Sequence, residues 1–170
     1  MLRRRDFLMA PMAATALLAS PNGATPPARR FDAAARLRSL EVDPARLGVC
    51  FLDTGTGEVS GNRMEEHFAM CSTFKLALVA ACLRESDQGR LDLAQILTYS
   101  EADLLSWAPV TRKNLDSGGM SIAALARAAQ ELSDGVAANL LVKRLGGPAA
   151  VTSRLREMGD TVTRLDRYEP

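Results

Sequence analysis

Ser72-Thr73-Phe74-Lys75 sets a hydroxyl and an amine three residues apart at the start of a strongly apolar run. On a helix, that spacing brings both side chains to one face. A helix N-terminus there adds partial positive charge and free N–H groups beside the serine. A lysine carried into an apolar core is disfavoured in its charged form and becomes able to accept a proton. A serine activated by a lysine needs no histidine, and the chain has a single one, His67. Alone the tetrapeptide is weak evidence, because Ser-x-x-Lys arises by chance about once per few hundred residues at average composition. An N-capping serine and a solvated lysine would be spelled the same way, although a lysine in so apolar a helix counts against that.

Two more groups carry chemistry. Ser133-Asp134-Gly135 lies between two helical runs. A second serine there can relay a proton to a leaving group, or it simply caps the helix that begins near Asp134. Asn139, one turn further on, is either an exposed amide or an inward-facing one that positions a partner. Arg164-Leu165-Asp166-Arg167-Tyr168-Glu169-Pro170 concentrates charge in a loop. Glu169 is a candidate general base acting on water, or a surface carboxylate paired with an arginine. A cis bond to Pro170 would fix the direction of that carboxylate.

These residues need elements to hold them. Arg30 to Leu40 reads as a short amphipathic helix, with Phe31, Ala34, Leu37 and Leu40 on one side. Leu47 to Leu52 reads as a largely buried strand. Asp53-Thr54-Gly55-Thr56-Gly57 supplies turn chemistry, and Glu58 to Asn62 returns as the second strand of a hairpin. Ser72 to Leu83 is a helix apolar on nearly all sides, which belongs in a core. Leu91 to Leu97 is a short connection, and Ser106 to Gly119 a loop region. Ser121 is placed to cap a helix over Ile122 to Leu132. Asp134 to Leu145 forms the next helix, closed by Gly146-Gly147, and Pro148 opens the last, to Met158. Strands and helices are thus segregated, an α+β arrangement. A lone two-stranded hairpin is not a stable sheet.

Composition narrows the class. The 170 residues are 47% hydrophobic and 24% charged, which excludes collagen-like, strongly disordered and polytopic membrane chains. Lys+Arg 21 against Asp+Glu 20 gives no electrostatic reason to expect nucleic acid. Cys50, Cys71 and Cys82 are odd in number, so at least one is unpaired within the chain. Cys50 and Cys82 sit in apolar context and read as buried, inert thiols. No C-x-x-C or Cys/His cluster occurs, so neither a zinc site nor any other metal or cofactor is expected.

The first residues read as an address. Arg3-Arg4-Arg5-Asp6-Phe7-Leu8 resembles the bacterial twin-arginine export signal. The apolar run Met9 to Ala19 is too short to span a bilayer, and a small-residue stretch from Ser20 to Ala28 follows. Residues 1–28 are therefore expected to be an export signal that delivers a soluble protein to the periplasm or the exterior.

In order and spacing, the three motifs resemble those of class A (serine) β-lactamases. Ser72-Thr73-Phe74-Lys75 corresponds to the family's Ser-x-x-Lys, Ser133-Asp134-Gly135 to its Ser-Asp-Asn, and Arg164 to Pro170 to its Arg-Leu-Asp-Arg-x-Glu-Pro loop. Gly119-Met120-Ser121, Ala137-Ala138-Asn139-Leu140-Leu141 and Gly146-Gly147-Pro148-Ala149 extend the resemblance, which runs from residue 30 to 170. It implies an all-helical subdomain plus an antiparallel sheet of which the first hairpin is present. It implies that Ser72 attacks a β-lactam carbonyl, with its N–H as half of an oxyanion hole, and that Lys75 takes or relays the proton. Ser133 would then serve the departing ring nitrogen, and Glu169, held by Asn139, would activate the hydrolytic water. Trp107 falls where the family often has an aromatic at the site rim, though core packing is the usual fate of a single Trp. The implied partner is a small β-lactam substrate, and the implied state is a monomer.

Two departures stand out. Gly135 replaces the family's Asn and removes an amide expected to hold the substrate and Lys75. Cys71 beside the nucleophile occurs in some carbapenem-hydrolysing members, paired there with a later cysteine that this chain lacks. The family also continues past Pro170 with further helices, three strands and a Lys-Thr-Gly motif that binds the substrate carboxylate. Residues 29–170 are accordingly expected to be a partial domain, incompetent alone and exposing apolar surface. Two alternatives remain at this stage. One is a penicillin-binding peptidase, which shares both serines and the lysine. The other is a non-enzymatic piece that needs a complementary second half.

Overall fold

The computed structural model describes residues 33–170, in two compact units divided between His67 and Phe68. The expected export signal lies outside the described residues. So do residues 30–32, with which the expected first helix opens; the described helix is α1 (Ala33–Arg38).

The first unit is α1 with a hairpin of β1 (Val49–Leu52) and β2 (Val59–Asn62). The ladder is antiparallel and pairs Val49 with Asn62 and Leu52 with Val59. The turn is set by Asp53, whose carboxylate accepts the N–H groups of Gly55 and Thr56. Gly61 is required by packing, because a Cβ there would lie 2.0 Å from the Val49 carbonyl oxygen. The expected hairpin is present, but β1 is not buried: Phe51 and Leu52 are exposed. Cys50 is exposed as well, contrary to its apolar context. Arg63 binds the carboxylates of both Glu41 and Glu66, and Arg46 joins Glu66.

The second unit is helical. A one-turn 3-10 helix, Cys71–Thr73, leads into α2 (Phe74–Asp87). Then come β3 (Ile96–Leu97), two 3-10 segments (Glu101–Asp103 and Arg112–Ser117) and β4 (Met120–Ser121). The helices α3 (Ile122–Leu132), α4 (Gly135–Arg144) and α5 (Pro148–Glu157) complete it. The pairing of β3 with β4 makes a second short ladder between the end of the expected connection, Leu91 to Leu97, and the residues that join the expected loop to α3. Two residues per strand are too few for a period-2 pattern to register.

The helix ends follow their chemistry. Ser121 caps α3 by accepting the Ala124 N–H at 3.1 Å. Pro148 occupies the first turn of α5. The core joins Leu78, Ala81 and Cys82 of α2 to Ile122, Leu125, Ala128 and Ala129 of α3, to Val136, Ala137, Ala138, Leu140, Leu141 and Val142 of α4, and to Val151 of α5. The many alanines let α3 and α4 approach closely across their two-residue connection. Burial raises the Cys82 thiol to about 11, as befits an inert core residue.

Helix α2 is not buried on all sides. Leu76 and Leu83 are exposed, and its buried stripe is Lys75, Leu78, Ala81, Cys82 and Glu85. That stripe begins and ends on a charge. Glu85 binds Arg90 and, at 3.3 Å, Arg154 of α5. The Arg90 hydrogen bond, followed by the pairing with Arg154, holds the Glu85 carboxyl at about 2. A carboxyl depressed by folding stabilises the fold fully above the ordinary carboxylate range and loses that contribution as pH falls through about 2. In an acid titration followed by circular dichroism, Glu85→Gln is expected to be less stable at neutral pH. Its helicity should also fall less steeply between pH 4.5 and about 2.

Candidate active site

The side chains of the three motifs converge in the second unit around one amine. Lys75 is 3% exposed, so its ammonium has left water. It donates to Ser133 Oγ and to the Ser133 carbonyl, both at 3.0 Å, and to Ser72 Oγ at 3.3 Å. Its Nζ lies 2.9 Å from Glu169 Oε1. An ammonium has three protons, so these four acceptors share them, and Ser72 holds the longest contact. A buried cation persists when it is paired and fully hydrogen-bonded, and both conditions are met here. The Phe74 ring lies 5.9 Å from Nζ as a further, weaker partner.

Ser72 sits on the 3-10 turn one residue before the α2 cap and is exposed. The residue before it, Cys71, has a left-handed backbone (φ 47), as does Ser133 (φ 55). Such a conformation costs a non-glycine residue roughly 1–2 kcal/mol. At Ser133 it ends α3 and turns both the hydroxyl and the carbonyl of that residue toward Lys75. The capping alternative for Ser133 is therefore wrong. The cap of α4 is Asp134, whose carboxylate accepts the Ala137 N–H at 2.9 Å.

Asp134 does more than cap. It is fully buried, and it also accepts the N–H groups of Val110 and Thr111 and the Thr111 hydroxyl, each at 2.9 Å. The Thr111 carbonyl in turn accepts the Tyr99 phenol at 2.8 Å. Asp134 thereby ties the loop between β3 and β4 to the α3–α4 corner. Its place between Ser133 and a helix start signals a cap in the sequence, but the loop contacts have no local signature.

Asn139 resolves as the inward-facing amide. Its Nδ2 donates to the Glu169 carbonyl at 3.0 Å and its Oδ1 accepts the Glu169 N–H at 2.8 Å. This holds the main chain of Glu169, leaving the carboxylate free for Lys75. The Glu169–Pro170 bond is trans; among the described residues the cis bond is Asp43–Pro44. Direction is thus given to the carboxylate by Asn139, not by a cis proline.

Trp107 is 62% exposed, so it is no core residue, and its indole N–H donates to the Leu132 carbonyl at 2.9 Å. Gly135 donates its N–H to the Trp107 carbonyl at 3.1 Å. A Cβ on Gly135 would lie 3.0 Å from Leu105 Cδ1 and 3.3 Å from the Trp107 oxygen. Any side chain there requires Leu105 to move. Cys71 is exposed and free beside Ser72. Among the described residues, no group of three or more His, Cys, Asp or Glu side chains gathers to hold a metal, and no helix is long and apolar enough to cross a membrane.

Asp134→Asn tests the corner. It sets an amide donor against N–H donors, and each charged hydrogen bond lost is worth roughly 1.5–3 kcal/mol. Urea unfolding is expected to show a loss of at least that size.

The site's segment is shared with known proteins. The profile of the beta-lactamase enzyme family matches residues 32–170. A beta-lactamase of Streptomyces cellulosae is 46% identical over 86% of this chain and 48% of its own length. Beta-lactamase L2 of Stenotrophomonas maltophilia is 42% identical over 100% of this chain and 59% of its own length. Among solved structures, an ancestral class A beta-lactamase matches with TM-score 0.69 and 54% identity, over 74% of this chain and 48% of that one. A beta lactamase from Burkholderia vietnamiensis matches with TM-score 0.70 and 51% identity, over 74% and 46%. The chain spans about half the length of the curated relatives it matches. Because the profile runs through every motif residue and the solved relatives share both fold and more than half the aligned sequence, the chain belongs to the beta-lactamase enzyme family and corresponds to the N-terminal portion of a class A member.

Proposed function

We propose that this chain is the N-terminal portion of an enzyme that hydrolyses β-lactams through an acyl-enzyme on Ser72. The observation that carries this reading is the convergence of Ser72, Ser133 and Glu169 on the Lys75 amine within 3.3 Å. A nucleophile, a proton relay and a base share one buried group, and none of the contacts requires histidine.

The proton inventory can be followed. Lys75 carries its full set of protons while it pairs with Glu169. Passing one to Oε1 frees a lone pair on Nζ, which then takes the Ser72 proton as Oγ attacks the lactam carbonyl. Collapse of the tetrahedral intermediate breaks the C–N bond, and the ring nitrogen receives the Ser133 proton, which Lys75 replaces. The proton held on Glu169 returns to Lys75, and the carboxylate so restored takes a proton from water as that water attacks the ester; the same proton passes to Ser72 Oγ as the ester C–O bond breaks. Which group is the acylation base is disputed for this family; here the geometry links both candidates through a single 2.9 Å contact. Trp107, exposed at the rim, offers its π-face to the substrate.

Residues 1–28 are proposed to direct export by the twin-arginine route, on the strength of their ordered basic, apolar and small-residue segments. Residues 29–170 are proposed to be a partial domain of the enzyme. The protein is proposed to act as a monomer in the periplasm or outside the cell, without nucleic acid, metal or cofactor.

Intact-mass spectrometry after brief exposure to benzylpenicillin tests the mechanism. The Glu169→Ala variant keeps Lys75 beside Ser72 and Ser133, so acylation continues while water activation is lost. A persistent adduct on Ser72 is expected, against a transient one in the parent and none in Ser72→Ala. No adduct in Glu169→Ala overturns the reading; an adduct equally long-lived in the parent points to a penicillin-binding peptidase instead. Gly135→Asn is expected to lower KM for penicillins about ten-fold, the worth of one charged hydrogen bond, more than for bulky β-lactams. Identical kinetics across substrates would remove Gly135 from the site.

A further inference from the structure

The segment that carries Glu169 leaves α5 at Glu157 and runs on as irregular chain. Its near end is closed locally. Asp160 Oδ1 accepts the N–H groups of Val162 and Thr163 at 2.9 and 2.8 Å. Arg156 donates to the carbonyls of Asp160 and Thr163, both at 2.7 Å. Its far end is held by Asn139 of α4. Between these ends, Asp166, Arg167 and Tyr168 are exposed, and the Arg164–Asp166 pair stays within the segment.

Thr152 of α5 holds the middle. Its hydroxyl accepts the Leu165 N–H at 3.0 Å and lies 3.4 Å from the Leu165 carbonyl oxygen as donor. A threonine inside a helix is a poor helix former, and its hydroxyl ordinarily bonds back to its own preceding turn. Here the hydroxyl serves both backbone polar groups of a residue outside the helix. The Leu165 side chain packs on the core at the same point. The exposed tripeptide 166–168 is therefore bracketed by two clamps of the same kind: a side chain on a rigid helix engaging both N–H and C=O of one loop residue.

We propose that Thr152 is a positioning residue for Glu169. With Leu165 fixed, the chain to Glu169 is a short span anchored at both ends, and the carboxylate is confined near Lys75. Without the hydroxyl, the span lengthens back toward Thr163, and Glu169 samples positions from which it cannot align water. Acylation suffers less, because it asks of Glu169 only a proton contact with Lys75, and Lys75 and Ser72 are placed by α2 and by Ser133, whereas deacylation asks for a carboxylate aligned on water. The inference rests on the reading of Glu169 as the base for deacylation, and it assigns to Thr152 a separation of the two chemical steps.

The test compares Thr152→Val, which keeps the β-branched shape without the hydroxyl, with Thr152→Ser, which restores the hydroxyl. Unchanged helical circular dichroism checks that α5 is intact. Amide hydrogen exchange is read at Glu169, and adduct formation and release are timed with benzylpenicillin. In Thr152→Val, Glu169 is expected to exchange about three- to ten-fold faster and the adduct to be released about three- to ten-fold more slowly, the worth of one neutral hydrogen bond, with adduct formation changed by less than about two-fold. Thr152→Ser is expected to behave as the parent. Parental exchange at Glu169 in Thr152→Val overturns the proposal, as does equal slowing of formation and release, or a serine variant that matches the valine one. If neither the parent nor Glu169→Ala forms an adduct, the hydrolase reading fails, while exchange at Glu169 still decides the part played by Thr152.

Discussion

A buried ammonium governs the second unit. Lys75 has lost its hydration, and the energetic demand of that loss is several kcal/mol unless paired partners replace water. The replacements come from three places far apart in the chain: Ser72 one turn before it, Ser133 at the α3–α4 corner, and Glu169 in the loop beyond α5. Meeting the needs of one cation thus fixes where two helices and a loop must be. The same arrangement brings together the groups that the proposed chemistry requires.

The scaffold meets this demand with local strain and local clamps. Backbone is left-handed at Cys71, next to Ser72, and at Ser133, which binds the amine. Strained residues persist when their surroundings over-determine them, and at Ser133 those surroundings are visible. Asp134, next in the chain, is held by four donors from Val110, Thr111 and Ala137. The corner cannot relax without breaking buried charged hydrogen bonds. The loop bearing Glu169 has no secondary structure, yet Asn139 and Thr152 hold its backbone as a sheet neighbour would.

Much of this was legible in the residues. The i,i+3 spacing of Ser72 and Lys75 is a helical fact, independent of packing. The caps at Ser121 and Pro148 were readable, since a cap acts within a few residues of itself. Expectations failed where burial depended on distant partners. Cys50 and Phe51 lie on a strand with an apolar pattern, yet both are exposed. The β3–β4 ladder was invisible because its strands are two residues long. The left-handed backbone at Ser133 was not legible, because nothing in its own sequence announces such a turn.

The sequence by itself determined which functional groups exist and how those within one helix are spaced, because helical geometry converts separation along the chain into a direction. It also set the family, since three motifs at fixed spacing carry far more information than any one. Only the tertiary structure decided that Lys75 is buried and four-fold shared, that Asp134 rather than Ser133 is the cap, and that Asn139 and Thr152 face the Glu169 segment. Those outcomes depend on which surfaces pack together, and packing joins residues whose separation along the chain says nothing about their distance in space.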